Sequence, residues 1–299
     1  MQRRYRRGSD CRHSVALVET LIVNRADGVV TVTMNRPDKK NAANSTMWQE
    51  LLACLREVAD RGGDRVLVLT GAGDAFSSGA DLTDAGNGDG PLSWMRRVGD
   101  VALTLHRLPK PTIAKVNGVA AGAGCNLALG CDLIVASDDA RFTEIFVRRA
   151  LSIDFGGSWL LPRLVGLHRA KELALLGDLV SAKEALELGL VNRVLPASEL
   201  DSFVDGWARQ LAAGPPIALS MTKSLLNQAF EVSMAQALDD EGRCQVINFS
   251  TADTAEAMAA FIEKRPPTST AADGVRSRTS IRGAWSRWTL GWVLEPGVS

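Results

Sequence analysis

The pattern of apolar and polar residues predicts a β-hairpin at the start of the chain, followed by a helix. Residues 19–24 and 29–34 are rich in β-branched side chains, and Ala-Asp-Gly separates them. Two such runs joined by a short turn containing glycine are typical of a hairpin. Apolar residues then recur at helical spacing over 47–59, directly after Asn44 and Ser45, which are good N-cap residues.

The middle of the chain alternates short apolar strands with amphipathic helices, and glycine-rich loops follow the strands. This alternation predicts the α/β class. The C-terminal third is mostly helical by the same criterion. Predicted strands cover 65–70, 112–116, 133–136 and 191–195; predicted helices cover 91–108, the small-residue segment up to Leu129, much of 158–213, and 215–265.

Composition changes along the chain predict four regions: a disordered basic arm at 1–14, a core at 15–213, a helical part at 214–267 and a disordered tail at 268–299. Glu19 interrupts the apolar run behind the arm, and no small-residue cleavage site follows, so a signal peptide is not expected. A start codon assigned too early would also explain the arm. A frameshift or a partner-binding segment are alternatives for the tail.

Charge and cysteine content exclude several classes of protein. Lys plus Arg and Asp plus Glu number 34 each, so the net charge is zero and no basic surface for nucleic acid is indicated. The five cysteines form no CxxC pair, which argues against a disulfide framework or a zinc site. No apolar run reaches membrane-spanning length. We expect a cytoplasmic protein with no metal, no nucleic-acid partner and no membrane span.

Common catalytic motifs are absent from the sequence. The glycines at 71 and 73 follow a strand, but Phe76 occupies the third position of the dinucleotide-binding fingerprint. The glycines of 118–124 lack the Lys-Ser/Thr of a phosphate-binding loop. There is no GxSxG motif, and no histidine is paired by sequence with a nucleophile.

Two glycine-containing segments carry the candidate chemistry. They are 76–82 (FSSGADL) and 117–129 (NGVAAGAGCNLAL), both with small residues where backbone must approach another group closely. The second segment starts a helix, where main-chain amides are free. Two converging amides can stabilise an oxyanion. Tight turns with close helix packing are the alternative interpretation.

Together these segments resemble the crotonase superfamily, the enoyl-CoA hydratase/isomerase family. Four more segments are similar to the family in order and spacing, and the resemblance covers about 16–267. These segments are 35–42 (NRPDKKNA), 155–166 (FGGSWLLPRLVG), 181–192 (SAKEALELGLVN) and 260–265 (AFIEKR).

The resemblance implies a spiral of ββα units with a C-terminal helical part used in trimer packing, in a homotrimer or hexamer. It implies an acyl-CoA thioester as substrate, with no cofactor other than the coenzyme A of that substrate. The oxyanion hole would consist of the Ala80 and Ala123 amides. Lys39 and Lys40 are either neighbours of the coenzyme A phosphates or ordinary solvated lysines. The residues expected to bind substrate or coenzyme A are Ser78, Ala80, Asp81, Leu82, Thr83, Ala123, Asn126, Phe146, Phe261 and Lys264.

The chain departs from the hydratase pattern at both glutamates that manage protons in that reaction. Aligned without gaps, Asn126 and Phe146 take their places. An amide is not a base at neutral pH, and a phenyl ring carries no exchangeable proton. Glu144 lies two positions before Phe146, and we expect its side chain to point elsewhere.

Asp154 is the remaining candidate acid–base residue, as in the isomerase-like branch of the family. It precedes the Gly156-Gly157 turn, and Arg148 and Arg149 lie close in sequence, where they would favour an ionised carboxylate. Alternatively, Asp154 caps the helix that starts near Ser158.

These features favour isomerisation of a 3-enoyl-CoA to a 2-enoyl-CoA, in fatty-acid or related acyl-CoA metabolism. A hydratase using Asp154 and an ordered water is the first alternative. Dehalogenation, decarboxylation and non-catalytic acyl-CoA binding also remain open, since the fold alone does not define the reaction.

Overall fold

The computed structural model describes residues 5–7, 13–84 and 90–269. The chain divides into two compact units, Met1–Ala212 and Ala213–Ser299, close to the boundary predicted between core and helical part.

Among the described residues, the first unit contains two sheets made from twelve strands. The larger sheet has the order β1-β2-β3-β4-β5-β7-β9-β12, and the smaller has the order β11-β10-β8-β6. The strands are β1 (Tyr5–Arg7), β2 (His13–Leu17), β3 (Leu21–Ala26), β4 (Val29–Met34), β5 (Val66–Gly71), β6 (Ala75–Ser77), β7 (Thr112–Val116), β8 (Val119–Ala121), β9 (Leu133–Ser137), β10 (Arg141–Thr143), β11 (Val180–Ser181) and β12 (Arg193–Leu195).

Seven α-helices lie in the described part of this unit. They are α1 (Ser45–Asp60), α2 (Pro91–His106), α3 (Ala123–Leu129), α4 (Gly157–Val165), α5 (Leu167–Leu176), α6 (Ala182–Glu187) and α7 (Ala197–Ala212). Helix α1 begins as predicted, because the Asn44 side chain accepts a hydrogen bond from the Met47 amide. The strand–helix alternation confirms the predicted α/β class.

The predicted hairpin is formed by β3 and β4, which pair in antiparallel register from Leu21↔Met34 to Ala26↔Val29. Its turn places Asp27 and Gly28 at φ values of 48° and 82°. Positive φ at both central residues matches the twist of antiparallel strands. From β4 onward the large sheet is parallel, with β5, β7, β9 and β12 following in order.

Apolar side chains cover both faces of the large sheet. The larger core cluster contains α1 and α2 residues such as Met47, Leu51 and Leu105. A smaller cluster joins Val66, Val68, Ile113 and Val135 of the sheet to Leu200, Val204 and Ala208 of α7. Helices on both faces explain why β5 is buried along its whole length.

The terminal segments differ from expectation where they are described. The arm was expected to be disordered, yet β1 pairs with β2 from Tyr5↔Ala16 to Arg7↔Ser14. Backbone pairing with an existing edge strand accounts for this order, despite the arginine-rich composition. Of the tail, only Thr268 and Ser269 are described, and Ser269 Oγ donates to Asp253 Oδ1 at 3.1 Å. Residues 1–4, 8–12 and 270–299 lie outside the described residues.

The second unit is helical, as predicted for 214–267. It contains α8 (Pro216–Gln228), α9 (Met234–Phe249) and α10 (Ala252–Glu263). Neither α8 nor α9 has a buried residue. Among the described residues, no helix combines the length and apolar character that crossing a bilayer requires.

Candidate active site

Three parallel strands of the small sheet end at one edge and position the candidate residues. Strand β8 pairs in parallel with both β6 and β10. Because parallel strands place their carboxyl ends together, the segments that follow β6, β8 and β10 emerge side by side. These segments contain Ala80, Ala123 and Glu144, respectively.

The first two of these segments touch at Gly79. A Cβ built on Gly79 would lie 2.7 Å from Ala121 O and 3.4 Å from Ala123 N. Gly79 also has a φ of +96°. Both the close approach and the left-handed backbone therefore require glycine. The backbone before Ala80 thus lies against the amide of Ala123.

Both predicted oxyanion-hole amides are left out of the surrounding hydrogen bonds. The Ala43 amide donates to Gly79 O at 2.7 Å, and the Asp81 amide donates to Ala43 O at 2.9 Å. These two hydrogen bonds form a parallel bridge between Ala43 and Ala80, to which the main-chain groups of Ala80 itself do not contribute. The Ala80 N–H therefore points away from Ala43. Ala123 is the first residue of α3, where an amide has no acceptor within the helix. The two amides are therefore available for an oxyanion.

Polar contacts within segment 78–83, and between it and Arg36 and Lys40, hold this segment in place. Asp81 forms an ion pair with Arg36 at 2.9 Å and accepts hydrogen bonds from the Thr83 amide and hydroxyl. The Thr83 hydroxyl, followed by Arg36, keeps the pKa of Asp81 below its ordinary value, although partial burial acts against them. Leu82 is exposed, and the Ser78 amide donates to Lys40 O at 2.9 Å. Asp81 therefore orients this loop.

Other predicted coenzyme A contacts remain predictions. The Lys40 ammonium pairs with Asp74 on the protein surface. Phe261 is exposed, and Lys264 ends α10 in the left-handed conformation. Phe261 and Lys264 belong to the second unit.

Asn126 connects two further parts of the site, the Glu144 carboxyl and the loop that carries Asp154. It lies on α3 one turn after Ala123, and its side chain is fully buried. Asn126 Nδ2 donates to Glu144 Oε2 at 3.2 Å and to the main-chain oxygen of Asp154 at 3.0 Å. Since one helical turn rises about 5.4 Å, the Asp154 loop lies close to the Ala123 amide.

The loop at Asp154 is anchored by its neighbour Phe155. Phe155 adopts a φ of +50° and is buried, with its ring centroid 5.2 Å from that of Trp48. A bulky residue in the left-handed region is strained, so the buried ring must hold the loop in this conformation. Asp154 is thereby fixed between a core residue and the start of α4.

The alternative that Asp154 caps a helix is wrong. Helix α4 begins at Gly157, its N-cap is Gly156, and no side chain caps it. Asp154 Oδ1 is buried and has no hydrogen-bond partner among the described residues. A buried carboxylate oxygen without a donor is costly in a merely structural residue.

Burial raises the pKa of Asp154 to about 6. We had expected the neighbouring arginines to favour its ionised form. Arg148 instead pairs with the Asp178 carboxylate, and Arg149 donates to Arg148 O. Burial thus brings the pKa of the Asp154 carboxyl closer to neutrality than its ordinary value.

The position of Glu144 close to Phe146 in sequence had suggested that its side chain points away from the site. The structure shows that it points into the site. It is 3% exposed, and its carboxyl faces Asn126. Burial raises its pKa to about 7; hydrogen bonds from Asn126 and Cys125 lower it, and the charge of Asp154 raises it further. The site thus contains two carboxyl groups with raised pKa values.

Phe146 packs beside the segment that carries Ala123. It is buried, and its ring carbon Cζ would lie 3.5 Å from a Cβ on Gly122, next to Ala123. The two positions that carry glutamates in the hydratase pattern therefore hold an amide donor and an apolar ring. Neither side chain can act as a base.

Comparisons with known proteins show which family the chain belongs to. The family model "Enoyl-CoA hydratase/isomerase" matches residues 24–271. The 1,2-epoxyphenylacetyl-CoA isomerase of Escherichia coli K12 is 39% identical, over 84% of this chain and 98% of its own. A short-chain-enoyl-CoA hydratase of Clostridium acetobutylicum is 36% identical, over 83% and 96%.

A solved structure gives the same result for the fold. The putative enoyl-CoA hydratase of Streptomyces coelicolor A3(2) superposes with a TM-score of 0.82 at 39% identity, covering 85% of this chain and 95% of that one. The predicted crotonase-like fold is thereby confirmed. The chain belongs to the enoyl-CoA hydratase/isomerase family, the crotonase superfamily, and is an acyl-CoA enzyme of that family.

Proposed function

We propose that this enzyme isomerises a 3-enoyl-CoA to the 2-enoyl-CoA, with Asp154 as the acid–base residue. The observation that carries the proposal is the Asp154 carboxyl: it is partly buried, has a partnerless Oδ1, and lies on a loop bonded to α3. One carboxylate that can both accept and return a proton suffices for this reaction.

The proposed reaction has two proton transfers. Asp154 removes a proton from C2, and the electrons of that C–H bond form the C1=C2 bond of an enolate. The thioester oxygen becomes an oxyanion that accepts hydrogen bonds from the Ala80 and Ala123 amides. The enolate then re-forms the carbonyl, the double bond moves from C3=C4 to C2=C3, and C4 takes the proton from Asp154. Each donor of such a hole lowers the activation barrier by about 2.7–4 kcal/mol.

Hydration of a 2-enoyl-CoA is the second candidate. Hydratases are among the similar proteins, at identities close to that of the isomerase. Two carboxyl groups do occur in the site, but Glu144 is 3% exposed and bonded to Asn126. A group so enclosed is poorly placed to activate a water that must reach C3. We therefore favour isomerisation.

Turnover of two thioesters tests this choice. Purified enzyme is given a 3-enoyl-CoA and, separately, a 2-enoyl-CoA, and the products are separated by chromatography. We expect the 2-enoyl-CoA from the first and little 3-hydroxyacyl-CoA from the second. Asp154→Asn is expected to reduce isomerisation by about 10²–10⁴-fold, the range for loss of an acid–base residue.

The matched control is Asp139→Asn, the same substitution at an exposed position. It is expected to leave turnover within twofold of the unsubstituted enzyme, a difference of about 0.4 kcal/mol in barrier. Isomerisation that survives Asp154→Asn would refute the proposed role. Fast hydration with slow isomerisation would establish the second candidate instead.

We also propose that the second unit mediates self-association into a trimer or hexamer. It exposes many large apolar side chains, a pattern typical of an interface. These include Leu226, Phe230, Met234, Leu238, Val246, Phe261 and Ile262. Sedimentation equilibrium tests the proposal: a mass of three or six chains is expected, and a monomer at micromolar concentration would contradict it.

A further inference from the structure

Three buried oxygen atoms of the active site have no hydrogen-bond donor among the described residues. They are Asn126 Oδ1, Glu144 Oε1 and Asp154 Oδ1. Asn126 Nδ2 bonds to the Glu144 carboxyl and to the main-chain oxygen of Asp154, so the three atoms belong to neighbouring residues. Leaving one buried acceptor unsatisfied costs about 1–3 kcal/mol. Protonation of one of the two carboxyls converts one of these acceptors into a donor.

The orientation of the Asn126 amide is fixed by its partners. The atom nearest to Glu144 and to Asp154 faces a carboxyl oxygen and a main-chain oxygen, which are both acceptors. Only the NH₂ group can satisfy both. Oδ1 of Asn126 is therefore an acceptor without a donor, and rotating the amide would not remove the problem.

No cation balances the Glu144 carboxyl within the described part of the chain. The titratable groups that face it are the Cys125 thiol of α3 and the Asp154 carboxyl of the loop before α4. Burial, followed by Glu144, raises the pKa of Cys125, so the thiol is neutral. Arg148, on the segment that follows Glu144, pairs with the exposed Asp178 carboxylate. Two ionised carboxylates here would repel each other in a buried environment.

We propose that Glu144 is a positioning residue that stays protonated while Asp154 is ionised and acts as the base. This inference rests on the proposed function, because it assumes that Asp154 transfers the proton. The neutral Glu144 carboxyl accepts from Asn126 Nδ2 through Oε2 and provides an O–H donor through Oε1. The same Asn126 amide is thereby kept bonded to the main chain of Asp154.

The electrostatics of the pair agree with this division of roles. Burial raises the pKa of Asp154 to about 6 and that of Glu144 to about 7. Between these values the pair holds one proton. Glu144 is 3% exposed and Asp154 only partly buried, so the more deeply buried Glu144 is the carboxyl expected to keep it. Above the upper value Glu144 also ionises, and its charge opposes the base and the developing enolate. Activity should therefore fall on both sides of a maximum.

The pH profile of kcat/KM tests the inference, with Glu144→Gln as the principal variant. The unsubstituted enzyme is expected to lose activity by about tenfold per pH unit, below about pH 6 and again above about pH 7. Glutamine has nearly the shape of the neutral acid and cannot ionise. We expect Glu144→Gln to keep the acidic limb and to lose the alkaline limb. Glu187→Gln, an exposed site on α6, is the matched control.

Two results would overturn the inference. One is an unchanged alkaline limb in Glu144→Gln. The other is a loss of activity of about 100-fold or more at every pH, which would mean that an ionised Glu144 acts as a base itself. Failure of the proposed function gives a different result, since it appears as full activity in Asp154→Asn with either profile of Glu144→Gln.

Infrared spectroscopy provides a readout that does not depend on turnover or on a folded variant. Difference spectra of the unsubstituted enzyme between pH 5.5 and 9 should show a protonated carboxyl band that disappears with an apparent pKa of about 7. The component that titrates with a pKa of about 7 should be lost in Glu144→Gln, where a component with a pKa of about 6 remains, and should be kept in Asp154→Asn. A band that is lost only in Asp154→Asn would contradict the assignment to Glu144.

Discussion

The carboxamide of Asn126 lies directly against the α-carbon of Gly157. A Cβ built on Gly157 would be 2.3 Å from Asn126 Nδ2 and 2.5 Å from Oδ1. The Gly157 amide also donates to Asp154 O at 2.9 Å, the same oxygen that Asn126 contacts. Gly157 thus sets how closely the Asp154 loop approaches α3. Glycine is required here by this close contact and not by its φ, which other residues can adopt.

Gly157→Ala is therefore expected to lower both stability and turnover. The added methyl group must displace Asn126 or α4, and overpacking of this kind costs about 1–3 kcal/mol. Chemical denaturation and turnover of the 3-enoyl-CoA measure the two effects. The matched control is Gly206→Ala in α7, where nothing lies within 4 Å of the added Cβ. That variant should gain about 0.5–1 kcal/mol in its free energy of unfolding from helix propensity. An equally mild effect in Gly157→Ala would contradict the close contact with Asn126.

Ala123→Pro removes one donor of the proposed oxyanion hole. Ala123 is the first residue of α3, a position where proline is tolerated because the amide has no helical acceptor. The fold should survive, while kcat falls by about 100- to 1,000-fold through loss of the donor. Circular dichroism and steady-state kinetics measure the two quantities.

Ala252→Pro is the matched control, since Ala252 is likewise the first residue of its helix, α10. Its turnover is expected to stay within about twofold of the unsubstituted enzyme. Near-normal turnover in Ala123→Pro would show that the Ala123 amide does not bind the oxyanion.

Asp154→Asn is expected to stabilise the protein in a pH-dependent manner. Burial raises the folded-state pKa of Asp154 from 3.8 to about 6, so the folded state favours the protonated form. The stability contributed by Asp154 is therefore present below about pH 4 and is lost as pH rises through about 6. Asparagine cannot ionise, so the variant does not lose this contribution.

Thermal unfolding between pH 4.5 and 8 measures this effect. The Tm advantage of Asp154→Asn should widen up to about pH 7 and then stay constant. Asp139→Asn, on the exposed surface, should show no such widening. A Tm difference between Asp154→Asn and the unsubstituted protein that is independent of pH would mean that Asp154 is not buried as the structure shows.

Much of the large sheet could be predicted from the sequence, because β3, β4, β5, β7 and β9 have five or six residues each, long enough to show a pattern. Strands β1 and β2 were not predicted. The hairpin and α1 were predicted to within about two residues, since turn glycines and the Asn44 cap mark their ends. The small sheet was missed. Its strands β6, β8 and β10 have three residues each, too few for any periodicity to emerge.

The side-chain direction of Glu144 was missed for a related reason. Phe142, Thr143 and Glu144 are all buried, so the alternation expected of a strand fails at this point. Strand β10 ends at Thr143, and a 3-10 helix begins at Ile145. That change of backbone conformation turns Glu144 toward Asn126, which no pattern of residue types indicates. The predicted oxyanion-hole residues, Ala80 and Ala123, came from the resemblance to the crotonase superfamily; the glycine loops themselves indicated only that backbone approaches another group closely.

The proposed role of Asp154 is tested most directly by following one hydrogen atom through the reaction. A 3-enoyl-CoA carrying deuterium at C2 is converted in ordinary water under single-turnover conditions, and the product is analysed by NMR. Because one partly buried carboxyl both removes and returns the proton, we predict deuterium at C4 of the 2-enoyl-CoA, and no such product from Asp154→Asn. A 2-enoyl-CoA with only ordinary hydrogen at C4, or a 3-hydroxyacyl-CoA in its place, would contradict the account.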